Sequence, residues 1–293
     1  MNDPAAKLQG LISKIVTWKK GEKRAPHKPL MLLLAIGNLQ RSGKRLQPFA
    51  EVVNPMTHAM ETFGPAGRVP TPQYPFWRLK NDELWDFEAD GPLRIRKSSD
   101  DPTKTALIEK GARAGFLPVY DDLLRRDKAL QARVIHQILD AHFPPSIHED
   151  IVAYFGLYLG EPETADHVSS HKFRKDVLDA YQSRCAVSRF SVNLGTAVLG
   201  VEPAHVCWPQ AGGLNAVVNG IALSTLHRKL FHLGVFTIDS DYRVVVSPHA
   251  TGELGFSGML ERFHGQKILL PSHGKDHPSK KCLAWHASEV FRG

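Results

Sequence analysis

The stretch 29-PLMLLLAIGNLQ-40 constrains the fold more than any other part of the chain. Leu30 to Ile36 are apolar without a break. A helix over these residues therefore has no polar face to give to water and must be surrounded by other elements. Pro29 suits its first turn, where backbone N–H groups lack intrahelical partners. Two neighbours are readable nearby. Residues 5–20 set Leu8, Leu11, Ile12, Ile15 and Val16 at helical spacing, and 121–142 forms a longer amphipathic pattern stopped by 143-FPPS-146. Residues 76–88, FWRLKNDELWDFE, alternate apolar and polar positions around Asn81-Asp82, which predicts a short hairpin. The first part of the chain is thus expected to be mainly α with a small β-hairpin.

The polar stretch 160-GEPETADHVSSH-171 has no apolar period and reads as a linker. It separates an expected domain at 1–159 from one at 172–293. The second domain predicts a helix at 173–185, a short strand over AVSRFSV, and strands at 198–206 and 235–246. Between the last two lies the helix LSTLHRKLFHLG, ended by Gly234. This is an α+β pattern. No apolar run is long enough to cross a membrane, and the first residues lack the basic-then-apolar order of a secretory signal. Cys185, Cys207 and Cys282 form no C-x-x-C pair, which argues against a disulfide framework and a four-cysteine zinc site. A reducing cytoplasm is the expected setting. The net charge of +7 and pI near 9.3 favour a polyanionic partner, nucleic acid above all.

The second domain carries an ordered set of polar residues. His205 ends a predicted strand, a Gly-containing loop leads to Asn219-Gly220, and the next helix bears His227 and His232. A neutral imidazole can take a proton from water near pH 7. A divalent cation on nitrogen and oxygen ligands would neutralise a scissile phosphate, and an Asn in the intervening loop can orient the base. His227 and His232 lie roughly one and a half turns apart, so they do not share one helix face squarely. A lone histidine is more often a surface or core residue than a ligand; the ordered set is harder to obtain by accident.

The segments VEPAHV, NGIAL, LHRKLF and GVFTID resemble the HNH (ββα-metal) endonuclease family, in the form common among McrA-like restriction enzymes. The tail 285-WHASEVFR-292 resembles the close of such domains. The resemblance implies His205 as general base, Asn219 as the middle Asn and His227 as the final His, with a one-metal hydrolysis of DNA. Two departures stand out. Ala204 precedes the base where many members hold a metal ligand, leaving Glu202 as the substitute, and HRKLFH is one residue longer than usual, with His232 at its end. The candidate metal ligands are therefore His227, His232 and Glu202. The ion is a divalent one, with Mg, Mn, Co, Ni and Zn all admitted by a His/Asn-rich site.

In the first domain, Arg24, His27 and Lys28 precede the apolar helix, whose N-terminus has unsatisfied N–H groups suited to a phosphate. The stretch 71-TPQYPFWRLK-80 poses a second question. Adjacent Phe76 and Trp77 point to opposite sides of any strand, so one enters the core and the other meets something else. Pro75 argues for an edge or a loop. HKPLMLLLAIG and YPFWRLKNDELW resemble the sulfur-binding domain that precedes HNH domains in type IV restriction enzymes. That resemblance implies recognition of duplex DNA in which sulfur replaces a non-bridging phosphate oxygen. Sulfur is larger and less hydrated than oxygen, so an apolar cup can favour it while basic residues hold the backbone. Tyr74 and Pro75 then match the cup, with Phe76 and Trp77 beside them. His27 with Arg24 and Lys28 matches the phosphate grip, and Arg78 and Lys80 attend the backbone. A downstream basic residue is also implied. LRIRKSSDDPTKT offers Arg94, Arg96, Lys97 and Lys104 without a basis for choosing, and Arg96 and Lys104 are carried as candidates.

The expected function is a modification-dependent endonuclease acting on phosphorothioated double-stranded DNA. The rivals are an HNH enzyme reading another mark, such as 5-methylcytosine, and a DNA-binding module with a decayed nuclease half. One hydrolytic site cuts one strand, so a double-strand break implies two copies, as in a homodimer.

Overall fold

The computed structural model describes residues 3–15, 18–20, 23–96, 99–159, 171–194 and 197–293. The expected linker thus lies, but for its last residue, outside the described residues, as do the side chain of Arg24 and residue Val16. The chain divides into two compact units, one built from 1–19, 24–64 and 68–163, the other mainly from 164–293.

The first unit is mostly helical. It runs α1 (Pro4–Ser13), β1 (Trp18–Lys20), β2 (Lys23–Ala25), α2 (His27–Ser42), β3 (Gln47–Pro48) and α3 (Phe49–Phe63). It continues with α4 (Gln73–Arg78), β4 (Trp85–Glu88), α5 (Lys104–Glu109), β5 (Arg113–Phe116), α6 (Pro118–Arg126), α7 (Lys128–His142) and α8 (His148–Phe155). Helix α2 is the central element: Leu30, Met31, Leu32, Leu33, Leu34 and Ile36 are all buried, and α3, α4, α7 and α8 pack around it. Gly37 is required by this packing, because a Cβ there would lie 2.4 Å from the Phe155 carbonyl oxygen. Strands β3, β5 and β4 form a small antiparallel sheet in that order, with Trp85 opposite Phe116.

Three expectations are corrected here. The 5–20 helix ends at Ser13, and Trp18–Lys20 is instead a strand paired with Lys23–Ala25. The 121–142 helix is two helices broken at Asp127, whose extended backbone lets its carboxylate accept the Leu130 N–H at 2.8 Å. The hairpin over 76–88 does not form, since Gln73–Arg78 is helical, a 3-10 turn follows, and only Trp85–Glu88 is a strand. The buried residues Gln73, Phe76 and Leu79 recur every third position, so the helical period decides the segment. Pro75 lies in the first turn, where its missing N–H costs no hydrogen bond.

The second unit runs α9 (His171–Ala180), β6 (Val192–Leu194), β7 (Ala197–Leu199), β8 (Val201–His205), β9 (Gly220–Ser224) and α10 (Thr225–His232). Then come β10 (Phe236–Ile238), β11 (Val244–Val246), α11 (Leu254–Met259) and α12 (Lys280–Glu289). Strand β8 pairs antiparallel with β9, from Val201 opposite Ser224 to His205 opposite Gly220, and α10 follows directly. The predicted 198–206 strand is broken at Gly200, which adopts φ +68°. The predicted 235–246 strand is a hairpin turned at Asp239–Arg243, where the Asp239 carboxylate accepts two backbone N–H groups at 2.8 Å. Within AVSRFSV only Val192 is in a strand. Phe173, Val177, Ala204, Ile221, Leu223, Phe231 and Phe236 form the core between these elements.

That core holds a neutral histidine. The ring of His286 is wholly buried and stacks on Phe231 at 3.7 Å between centroids, its nitrogens meeting Thr237 Oγ1 at 2.8 Å and the Phe231 carbonyl at 3.0 Å. Burial pushes its pKa down to about 3. The folded value lies below the unfolded one near 6.5, so its stabilisation is full above that pH and is lost as pH falls toward 3. By pH 5 this one group costs about 2 kcal/mol. Denaturant unfolding of the second unit at pH 7.5, 6 and 5 should show this fall, and His286→Gln should flatten it.

Candidate nucleic-acid interface and hydrolytic site

In the first unit, α4 and the chain on either side of it build an open cleft of about 660 Å³. Its lining includes the apolar Val69 and Pro70, the aromatic Tyr74, the basic Arg94, Arg96 and Lys104, and the acidic Glu109. Lys104 Nζ donates to the Pro70 carbonyl at 3.3 Å, tying the basic and apolar parts of the lining together. Arg94 and Arg96 are exposed, on a segment held by a bridge between Ile95 and Pro102. Tyr74 is thus brought into one cleft with Arg96 and Lys104, more than 20 positions away.

Other candidates are used differently. Phe76 is wholly buried and packs edge-on against Phe49 and Phe87, and Pro75 is buried beside it. Both serve the interior rather than the cleft wall. Trp77 donates Nε1–H to the Asp100 carbonyl at 3.2 Å, and the Lys80 ammonium lies 2.9 Å over its ring. Arg78 forks onto Asp101 at 2.8 and 2.5 Å while its guanidinium lies 4.6 Å over the Tyr74 ring. Lys28 pairs with Asp82 at 2.5 Å, with both side chains largely buried. His27 is pushed down to a pKa of about 4 by burial and by the nearby Arg68 cation. It therefore stands neutral at pH 7. Arg68 was missed by sequence reasoning, since it sits in no periodic or basic run that would mark it.

In the second unit, His205 ends β8, as its position in sequence predicted. Its ring stacks on Phe173 at 3.9 Å, with the planes 12° apart. Nε2 lies 2.8 Å from Asn215 Oδ1; when it donates there, Nδ1 keeps the lone pair. Burial, together with the Arg228 cation, lowers the His205 pKa, against the Asn215 contact that raises it. Asn219 is buried and fixes the intervening loop. It accepts the Cys207 N–H at 2.8 Å and donates to the Cys207 and Leu214 carbonyls at 2.9 and 3.0 Å. Gly220 is needed beside it, because a Cβ would lie 2.4 Å from Val177 Cγ2.

The three proposed metal ligands do not assemble. Glu202 pairs with Arg228. His227 is buried, with Nδ1 2.8 Å from Ser224 Oγ and Nε2 2.7 Å from the Met259 carbonyl, so both nitrogens are engaged within the protein. His232 is buried with Nε2 3.3 Å from the His205 carbonyl, and burial together with Arg228 depresses its pKa strongly. Among the described residues, no group of three or more His, Cys, Asp or Glu side chains converges as a metal site. The residues as arranged do not fit a divalent ion. Arg228, which sequence reasoning passed over as the neighbour of His227, supplies the fixed positive charge near His205 and His232.

A family model described as "ScoMcrA-like, DNA sulfur-binding domain" matches residues 5–159. Among solved structures, the sulfur binding domain of ScoMcrA complexed with phosphorothioated DNA is 25% identical, with a TM-score of 0.46, over 52% of this chain and 98% of that one. The sulfur binding domain of SprMcrA complexed with phosphorothioated DNA is 21% identical, with a TM-score of 0.46, over 53% and 96%. The type IV phosphorothioation-dependent restriction endonuclease ScoMcrA is 27% identical, with a TM-score of 0.41, over 51% of this chain and 27% of that one. No curated protein matches. No helix among the described residues is long and apolar enough to cross a membrane.

Proposed function

This chain belongs to the ScoMcrA-like DNA sulfur-binding domain family, and from that premise we propose that its first unit binds duplex DNA at a phosphorothioate while its second unit hydrolyses phosphodiester bonds nearby. The observation that carries the binding half is the cleft itself, whose lining sets apolar Pro70 and the aromatic Tyr74 together with basic Arg94, Arg96 and Lys104. Basic residues hold any DNA backbone and give affinity without distinguishing sulfur from oxygen. The apolar part of the lining adds the distinction, because sulfur gives up its water at lower cost than oxygen does. His27, neutral and near Arg68, adds a hydrogen bond without a charge.

The hydrolytic half rests on His205. Its lone pair can take a proton from water as the water oxygen attacks phosphorus and the bond to the leaving oxygen breaks. Asn219 holds the loop that carries Asn215, and Arg228 places a positive charge near the base. A second reading, a DNA-binding module that does not cut, is favoured by one observation: Glu202 is paired with Arg228, and both ring nitrogens of His227 have partners within the protein.

The test is direct. Dissociation constants for one duplex with and without a single phosphorothioate, at fixed salt, should differ by about tenfold or more, equivalent to about 1.4 kcal/mol. Equal affinity overturns the binding proposal. Incubating the same duplexes with Mg, Mn, Co, Ni or Zn, and with none, separates a nuclease from a module that only binds.

A further inference from the structure

The structure assigns Arg78 and Asp101 a joint positioning role: they hold the segment bearing Arg94 and Arg96 in the cleft it shares with Tyr74. This rests on the proposed binding site and names what shapes it. The resemblance implied Arg78 as a phosphate contact; its geometry gives it another task. The guanidinium presents Nε and one terminal nitrogen to the two oxygens of Asp101, at 2.8 and 2.5 Å, the parallel arrangement that fixes direction as well as distance. The Asp101 side chain is only 2% exposed, so its carboxylate has little access to water and depends on this partner.

Asp101 in turn organises the basic segment. Its carbonyl accepts the Arg96 N–H at 3.0 Å, and the Arg96 carbonyl accepts the Asp100 N–H at 3.0 Å. A second tie comes from the next residue of α4, Trp77, through the Asp100 carbonyl. On its other side the Arg78 guanidinium lies over the Tyr74 ring, 4.6 Å from its centre. One side chain therefore touches Tyr74 and anchors the segment that bears Arg96. If it is cut, Tyr74 and Arg96 both remain, but the one side chain that contacts Tyr74 and also holds Asp101 is lost, and the Trp77 tie alone links α4 to Asp100.

A contact role and a positioning role differ in the sign of one result. If Arg78 bound phosphate directly, Arg78→Gln would lower the slope of log affinity against log salt by about one. In that case Asp101→Asn, which removes a negative charge from a DNA-binding face, would leave binding equal or tighter. The positioning role expects Asp101→Asn to weaken binding of the phosphorothioated duplex roughly as much as Arg78→Gln does, about tenfold, with the double variant no weaker than either. The salt slope should stay unchanged. Arg78→Lys keeps the charge but not the fork, and should behave like Arg78→Gln.

The experiment is fluorescence anisotropy with sulfur-bearing and plain duplexes across a salt series, on the full chain, with thermal melting of each variant. Arg78 is 43% exposed at its side chain, so the Arg78→Lys result stands even if Asp101→Asn fails to fold. Wild-type affinity for Arg78→Lys, or tighter binding by a folded Asp101→Asn, overturns the positioning role. Equal binding of both duplexes by the wild type overturns the underlying site instead.

Discussion

His205→Ala is expected to reduce cleavage of phosphorothioated duplex by roughly 10²–10⁴-fold, the range that a positioned general base contributes. Affinity for the same duplex should be unchanged, because the cleft proposed to bind it is lined only by residues of the first unit. The expectation follows from how the ring is held. Phe173 fixes its plane from one face, and Asn215 fixes one nitrogen, leaving the other to take a proton. Burial keeps the ring neutral at pH 7, so no proton must be shed first. Asn215→Ala should give a smaller loss, since it frees the ring to turn without removing the base. Single-turnover cleavage rates and equilibrium binding, measured on the same preparations, check both. A His205→Ala variant that cuts at the wild-type rate removes His205 from the mechanism. A wild type that cuts under none of the metal conditions leaves the binding-module reading standing.

How far the sequence could be read depends on the range of the interaction that decides each residue. Helix α2 was legible because its apolar run leaves no alternative to burial, and the observed His27–Ser42 helix extends the expected core by only a few residues. Gly234 was legible as a helix stop for a local reason, its positive φ of +76°. His205 was legible as the end of a strand, and Asn219 as a residue that fixes the loop. The segment FWRLKNDELWDFE was misread because short apolar runs satisfy periods of two and three alike, and packing against Phe49 selects the helix. The partners of the charged residues were the least legible. Lys28 meets Asp82, 54 positions away, Arg78 meets Asp101, 23 away, and Glu202 meets Arg228, 26 away. No local period encodes such pairs. Each one converts an apparent DNA contact or metal ligand into an internal partner, and for this reason the sites contain fewer free groups than the sequence offered.

Phe76→Ala should be the most destabilising single change around the cleft, at about 3–5 kcal/mol, the usual cost of removing a buried phenyl ring. The sequence required one of Phe76 and Trp77 to enter the core, with both carried as neighbours of the cup; the structure buries Phe76. It is 0% exposed, its ring lies 4.9 Å from Phe49 and 6.1 Å from Phe87, and its carbonyl accepts the Trp85 indole N–H at 3.0 Å. Deleting the ring leaves a void where α4 meets α3 and the sheet, and α4 is the helix that carries Tyr74 and Arg78. DNA binding should therefore fall together with the melting temperature, for sulfur-bearing and plain duplexes alike, because the whole cleft loosens. Phe76→Leu retains most of the volume and should recover both. Tyr74→Ala provides the contrast: its ring is partly exposed at the cleft wall, so the variant should melt close to the wild type, keep plain-duplex affinity and lose preference for sulfur. A Phe76→Ala protein that melts normally yet has lost only that preference would return Phe76 to the binding surface. If the two variants separate as expected, two positions of one short helix divide the work: Phe76 holds the helix in place, and Tyr74 uses that placement to distinguish sulfur from oxygen.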